Sequence, residues 1–129
     1  MLDHFVFNVP KAQFSDIVTW YLTALAPLTY TKQYDYPGQA CGLGTSPDAA
    51  PFWIGASDTP GASGFHLAFK AKSHEEVDRF HAAALKAGGT CNGKPGLREM
   101  YGPNYYGAFV LDPLGNNIEV VDKTVAVKE

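Results

Sequence analysis

A pattern that occurs twice constrains this chain more than any other feature of its sequence. The segments HFVFNV (residues 4–9) and HLAFKA (residues 66–71) lie 62 positions apart and share the order His, apolar, apolar, Phe, polar, small or apolar. An amphipathic stretch with apolar residues at helical spacing follows each copy, at residues 13–26 and 74–87. Two such repeats account for nearly all of the 129 residues, so we expect two similar modules in one domain.

Three strand-like segments, separated by Gly, Pro and Asn, follow each predicted helix. In the first half they cover residues 29–36, 39–43 and 51–56. In the second half they cover residues 90–92 with a possible continuation at 97–100, then 105–111 and 117–122. The prediction is an α+β fold of two βαβββ modules, 1–62 and 63–123, that form a single domain, followed by a short polar tail, 124–129.

Composition and charge exclude several classes of protein. The net charge of -3 and the lack of a Lys/Arg cluster argue against nucleic-acid binding and against binding to an anionic membrane. No apolar run approaches the roughly 20 residues that a membrane span requires, and the start of the chain lacks the pattern of a secretory signal. We expect a cytoplasmic protein in which Cys41 and Cys91 are reduced thiols, although the sequence is also compatible with a single bridge.

Strand alternation places one possible metal ligand on the polar face of each of three predicted strands. These ligands are His4, His66 and Glu119, and the last lies in the apolar segment IEVV, where an unpaired carboxylate is costly. Two imidazoles and a carboxylate can hold a divalent metal and leave positions open for water or substrate. Alternatively, Glu119 pairs with Lys70 or Arg98, and the two histidines are ordinary packing residues.

The segments LDHFVFNV, FHLAFKA and NYYGAFVLDPLGNNIEVV resemble the vicinal oxygen chelate superfamily of glyoxalase, bleomycin-resistance and extradiol dioxygenase proteins. PFWIG and PGLREMYGPNYYGAFVLDP resemble its glyoxalase-like branch. This resemblance implies that the two modules form a curved eight-stranded cup with helices on the convex side and a metal inside. The family's ligands on the first, fifth and eighth strands match His4, His66 and Glu119. The ligand that glyoxalase I-like members carry on the fourth strand has no counterpart in residues 51–56.

The resemblance implies a glyoxalase-like enzyme of the lyase or isomerase type that acts on a small oxygen-chelating substrate. Its cofactor would be divalent zinc, nickel, manganese, cobalt or iron, and Glu119 would also carry a proton. The alternatives are a ferrous ring-cleaving dioxygenase, a non-catalytic protein that sequesters an antibiotic or toxin, and a degenerate member without a metal. Trp53, Arg98 and Tyr105 are candidates for the substrate pocket. We expect a homodimer whose site lies within one chain or between two.

Overall fold

The computed structural model describes residues 2–58 and 65–125, which form two modules of the same design. The first contains β1 Phe5–Pro10, α1 Phe14–Leu25, β2 Thr31–Tyr36, β3 Ala40–Gly44 and β4 Phe52–Ser57. The second contains β5 His66–Lys70, α2 His74–Lys86, β6 Thr90–Leu97, β7 Tyr106–Leu111 and β8 Asn117–Asp122. The predicted α+β class and the βαβββ order are therefore confirmed. The predicted boundary between residues 62 and 63 lies outside the described residues.

Each module forms a four-stranded sheet in which the first and fourth strands are parallel neighbours. The strand orders are β1-β4-β3-β2 and β5-β8-β7-β6, so β1 and β5 lie at sheet edges. Val6 lies opposite Trp53 in the first sheet, and Ala68 lies opposite Glu119 in the second. Because Val6 and Ala68 are equivalent positions of the repeat, Trp53 and Glu119 occupy equivalent places in the two modules.

A single hydrophobic core joins the two modules. In β1 the side chains of Phe7 and Val9 are buried, whereas Val6 and Asn8 on the other face are exposed, as strand alternation predicts. The helices α1 and α2 pack on the sheets and contact each other. Between the modules, the Phe52 ring packs edge-on against a ring of β5, Phe69, with centroids 5.3 Å apart. Among the described residues, neither helix is long and apolar enough to cross a membrane.

The turn DPLGN before β8 is built around the buried carboxylate of Asp112. Its Oδ1 accepts hydrogen bonds from the backbone N–H groups of Leu114 and Asn116, both at 2.8 Å. Its Oδ2 accepts a hydrogen bond from the Tyr21 hydroxyl at 2.5 Å. Burial, and after it the negative charge of Asp112, raises the pKa of Tyr21 above its ordinary value. This contact ties α1 of the first module to the second module.

Two segments differ from the sequence predictions for local reasons. The strand predicted from residue 29 begins at Thr31, because Thr29 adopts a left-handed conformation (φ 66°) after a short 3₁₀ turn. The predicted piece at residues 90–92 continues across Pro95 to the end of β6. A proline is tolerated there because β6 is an edge strand whose register against β7 shifts around it.

Candidate functional site

Glu119 lies in the middle of β8, on the face of the second sheet that is opposite to the core. Its strand neighbours Ile118 and Val120 point into the core and are fully buried. The Glu119 side chain is itself only 4% exposed. A carboxylate withdrawn from water to this extent is costly unless hydrogen bonds replace the lost water. The structure supplies two partners, one for each carboxylate oxygen.

His66 is the partner of the first carboxylate oxygen. Its Nε2 lies 3.0 Å from Oε1 of Glu119, and its Nδ1 lies 2.8 Å from the backbone carbonyl oxygen of Asn117. A carbonyl can only accept, so Nδ1 carries a proton and donates it. The nitrogen that faces Glu119 is then Nε2, and a divalent ion bound at this point would use its lone pair, because metal ligation requires an unprotonated imidazole nitrogen.

Tyr105, immediately before β7, is the partner of the second carboxylate oxygen. Its hydroxyl donates a hydrogen bond to Oε2 of Glu119. Burial, and after it this hydrogen bond to the carboxylate, raises the pKa of Tyr105 to about 12. The tyrosine hydroxyl therefore stays protonated and donating at neutral pH. An open cavity of about 300 Å³ lies beside this pair, and its lining consists of His66, Tyr101, Tyr105, Phe109, Asn117 and Glu119.

The His66 ring packs on Phe109, and Phe109 in turn packs on Arg98. The Phe109 ring lies nearly parallel to the His66 ring, with centroids 6.0 Å apart. The Arg98 guanidinium carbon lies 4.9 Å from the Phe109 centroid, and the same group donates to the carbonyl oxygens of Gly96 and Gly107. These bonds hold Arg98 against the sheet. Glu119 is paired with His66 and Tyr105, as described above, and not with Arg98. The place of Arg98 in a substrate pocket stays a prediction.

The equivalent face of the first sheet carries an aromatic surface, formed by Tyr34, Tyr36 and Trp53. The Trp53 ring lies at 21° to Tyr34 and at 25° to Tyr36, with centroids 5.4 and 6.2 Å apart. Its indole N–H donates to the carbonyl of Ala50 at 2.9 Å. A Cβ on Gly42 would come within 2.5 Å of the indole, so the ring lies flat on β3 only because residue 42 is glycine.

His4, the remaining predicted ligand, lies beside this aromatic surface. Its side chain is 55% exposed, its Nδ1 is 2.7 Å from Asp3, and its ring centroid is 6.5 Å from that of Trp53. An open cavity of about 600 Å³ adjoins His4 and Trp53. Within residues 2–58 and 65–125, no group of three His, Cys, Asp or Glu side chains is close enough to hold a metal. One chain therefore brings His66 and Glu119 together and leaves His4 elsewhere.

The donor atoms of His66 and Glu119 fit one side of a metal site. Metal–nitrogen and metal–oxygen bonds of about 2.0–2.2 Å place neighbouring donors roughly 3 Å apart, and the observed separation is 3.0 Å. Catalytic centres of this kind usually have three protein ligands, so a third donor must come from outside this pair. Trp53, at the position equivalent to Glu119, offers no donor for an ion.

Two features of the site lay beyond the sequence analysis. Tyr105 was predicted as a pocket wall, and its hydrogen bond to Glu119 was not anticipated. The aromatic surface was missed as well, although the alternation of Tyr34 and Tyr36 in TKQYDY places both on one strand face. Tyr106, the neighbour of Tyr105, points to the opposite face, where its hydroxyl donates to Asp78 at 2.6 Å.

The fold is shared with many solved structures, several of which are described as glyoxalase-related proteins. A glyoxalase/bleomycin resistance protein from Albidiferax ferrireducens is 28% identical, with a TM-score of 0.79, and the match covers 96% of this chain and 99% of that one. A protein of the glyoxalase/bleomycin resistance/dioxygenase family from Burkholderia phytofirmans is 20% identical, with a TM-score of 0.70 over 95% and 98%. A lactoylglutathione lyase from Agrobacterium tumefaciens is 15% identical, with a TM-score of 0.64 over 95% and 92%.

These neighbours confirm the family resemblance recognised in the sequence. The fold is that of the vicinal oxygen chelate superfamily, in which glyoxalase-like, bleomycin-resistance and dioxygenase-like proteins share the paired βαβββ modules. No sequence-family model matches the chain, and no curated protein matches it. The comparisons therefore establish the architecture and its likeness to this superfamily, and the reaction has to be argued from the site.

Proposed function

We propose that the protein is a glyoxalase-like, metal-dependent enzyme of the lyase or isomerase type. The observation that carries this proposal is the His66–Glu119 pair, a buried carboxylate and an oriented imidazole whose donor atoms are 3.0 Å apart. The backbone carbonyl of Asn117 holds His66 with Nε2 directed at the carboxylate, as second partners do for metal-binding histidines. Polar groups arranged in this way beside an open cavity are typical of a small-molecule site.

The third ligand in this proposal is His4 from a second copy of the chain. Within one chain His4 is exposed and apart from the other two donors, which favours a site between two chains over a site within one. Exposed apolar side chains lie near His4 and near the His66–Glu119 pair, Val6 and Tyr101 among them, and such a homodimer would cover them. The edge strands β1 and β5 also leave backbone groups that can gain from pairing.

The chemistry follows from the donor set. A divalent ion held by His66, Glu119 and the second copy's His4 would supply Lewis-acid stabilisation of negative charge on two adjacent substrate oxygens. Because Tyr105 stays on the far oxygen of Glu119, Oε1 would accept the proton from the substrate carbon and return it when it is displaced from the ion. The aromatic surface on the first sheet of the second copy, beside its His4, would exclude water from the bound substrate.

Hybrid dimers give the sharpest test of this proposal. Neither His4→Ala nor His66→Ala alone is expected to retain a bound metal. Mixed after co-expression, the two variants form hybrids in which one of the two sites has both histidines, so about a quarter of the wild-type metal content returns. If the mixture recovers no metal, the site does not lie between chains. If both single variants keep wild-type metal content, the ligand assignment is wrong.

The identity of the metal in protein purified without added metal separates the two enzymatic functions. Zinc, nickel, cobalt or manganese supports the lyase or isomerase type. Iron, together with oxygen uptake on a catechol, would instead establish the ring-cleaving dioxygenase, which uses the 2-His-1-carboxylate donor set.

We further propose a cytoplasmic location, which is supported by the free thiols of Cys41 and Cys91.

A second candidate function is sequestration of a planar aromatic compound. The aromatic surface and the adjoining cavity of about 600 Å³ favour it, because near-parallel rings that are partly open to solvent can stack on a flat ligand. Trp53 provides the assay, since the only other tryptophan, Trp20, is 2% exposed. Quenching of tryptophan emission by planar heteroaromatics in metal-free protein, lost in Trp53→Leu, would support this function. Undiminished quenching in Trp53→Leu would exclude this surface as the binding site.

A further inference from the structure

The two oxygens of the Glu119 carboxylate are assigned to different partners. Oε1 faces Nε2 of His66 at 3.0 Å, and Oε2 accepts a hydrogen bond from the hydroxyl of Tyr105. A carboxylate free of such a partner can bind a metal through one oxygen or through both. The hydroxyl of Tyr105 occupies the second oxygen, so the two coordination modes are not equally open to this side chain.

We propose that Tyr105 is a positioning residue that reserves Oε2 of Glu119, so that only Oε1 is presented to a metal. This inference rests on the proposed function and adds a reason why the site can accept a substrate. A carboxylate that binds through one oxygen fills one coordination position instead of two. The position that is spared is available to a second substrate oxygen, which a substrate that chelates through two adjacent oxygens requires.

The local backbone is built to keep Tyr105 in this place. Its carbonyl accepts from the N–H of Arg98 at 2.8 Å, and its own N–H donates to the carbonyl of Gly102 at 3.3 Å. The Tyr101 ring packs edge-on against the Tyr105 ring, with centroids 5.3 Å apart. The segment is therefore fixed on both sides, and the hydroxyl reaches Glu119 from a defined direction.

Gly107 is an independent sign that the contact is accommodated. A Cβ at residue 107 would lie 3.3 Å from Cε1 of Tyr105 and 3.4 Å from Oε2 of Glu119. Any side chain there would therefore crowd the Tyr105 ring and lie in van der Waals contact with the carboxylate oxygen that its hydroxyl reaches. The Tyr105 ring lies across β7 where that strand has no side chain, which gives the hydroxyl its path to the carboxylate.

Binding of Co²⁺ to the full-length protein tests the inference, because the visible spectrum of cobalt reports its coordination number. Tyr105→Phe removes the hydroxyl and keeps the ring, and Tyr106→Phe is the matched control, because the Tyr106 hydroxyl lies on the opposite face of the sheet and donates to Asp78. We expect Tyr105→Phe to bind Co²⁺ about 10- to 100-fold more weakly, as for other residues that orient a ligand. We also expect weaker, shifted visible bands as the freed oxygen joins the coordination. Tyr106→Phe should keep the wild-type affinity and spectrum.

Two further results decide between the possible explanations. Gly107→Ala keeps every hydroxyl and crowds the contact, so it should shift the cobalt spectrum in the same direction as Tyr105→Phe, and it serves if that variant does not fold. Wild-type spectra and affinity in both Tyr105→Phe and Gly107→Ala would overturn the inference and leave the metal proposal intact. Failure of the wild-type protein to bind Co²⁺ at all would overturn the proposed function and this inference with it.

Discussion

Replacing Glu119 by glutamine should separate the stability of the protein from its metal chemistry. In the Glu119→Gln variant the side-chain amide oxygen can accept from Tyr105, and the amide nitrogen can donate to Nε2 of His66, whose Nδ1–H still donates to Asn117. Every polar group of the site then has a partner. We therefore expect the free energy of unfolding of metal-free Glu119→Gln to stay within about 1 kcal/mol of the wild type.

Glu119→Ala is the matched comparison. It removes both acceptors and leaves the hydroxyl of Tyr105 and Nε2 of His66 without their partner. An unsatisfied buried polar group costs about 1–3 kcal/mol, but the His66 side chain is 46% exposed and water can replace part of the lost bonding. Glu119→Ala should therefore be less stable than Glu119→Gln by about 1 kcal/mol. Urea unfolding of the three metal-free proteins, with the slope compared to confirm the same unfolded state, measures the difference.

Metal addition completes the experiment. A metal at 100 times its Kd stabilises the wild type by about 2.7 kcal/mol, which for a chain of this size raises Tm by roughly 10 °C. Neither Glu119→Gln nor Glu119→Ala should show this rise. If Glu119→Gln instead lost about 3 kcal/mol or more without metal, the His66–Glu119 pair would be a structural ion pair. A full metal-dependent rise in Glu119→Gln would place the metal elsewhere.

Three other predictions follow from contacts outside this pair. Tyr21→Phe loses the buried hydrogen bond to Asp112 and should destabilise the protein by about 1.5–3 kcal/mol in urea unfolding. A loss under about 0.5 kcal/mol would contradict the assigned bond. Because the pKa of Tyr21 is raised in the folded protein, this contribution is present below about pH 10 and is lost as pH rises above it. Gly42→Ala should push the Trp53 ring off β3 and shift its emission to the red, whereas Gly96→Ala, whose Cβ meets nothing nearer than 4.0 Å, should not. Burial, and after it the charge of Lys94, lowers the pKa of His81. The native state therefore binds fewer protons than the unfolded state, and Tm should fall as pH drops below 6.5. His81→Gln should flatten that fall, and an unchanged pH profile in this variant would argue against His81 as its cause.

Local periodicity in the sequence was sufficient for the repeated module and for the outline of the site. The alternation in β1 separates Phe7 and Val9, which are buried, from Val6 and Asn8, which are exposed, because side chains of a strand point alternately to its two faces. The same rule placed His66 and Glu119 on one face of their sheet, and the structure brings these two residues together. A carboxylate in an apolar strand demanded a partner on energetic grounds alone.

Tertiary structure decided which partners Glu119 has and which residues share a site. Tyr105 reaches Oε2 because of the conformation of the loop before β7 and because Gly107 has no side chain where the Tyr105 ring lies. Neither feature is encoded in a periodic pattern. The equivalence of Trp53 and Glu119 depends on strand register, and the separation of His4 from the other donors depends on how two modules pack. Patterns along a chain determine the faces of its elements, because those faces arise from local geometry. The contacts between elements arise from packing between residues distant in sequence, so only the folded chain defines them.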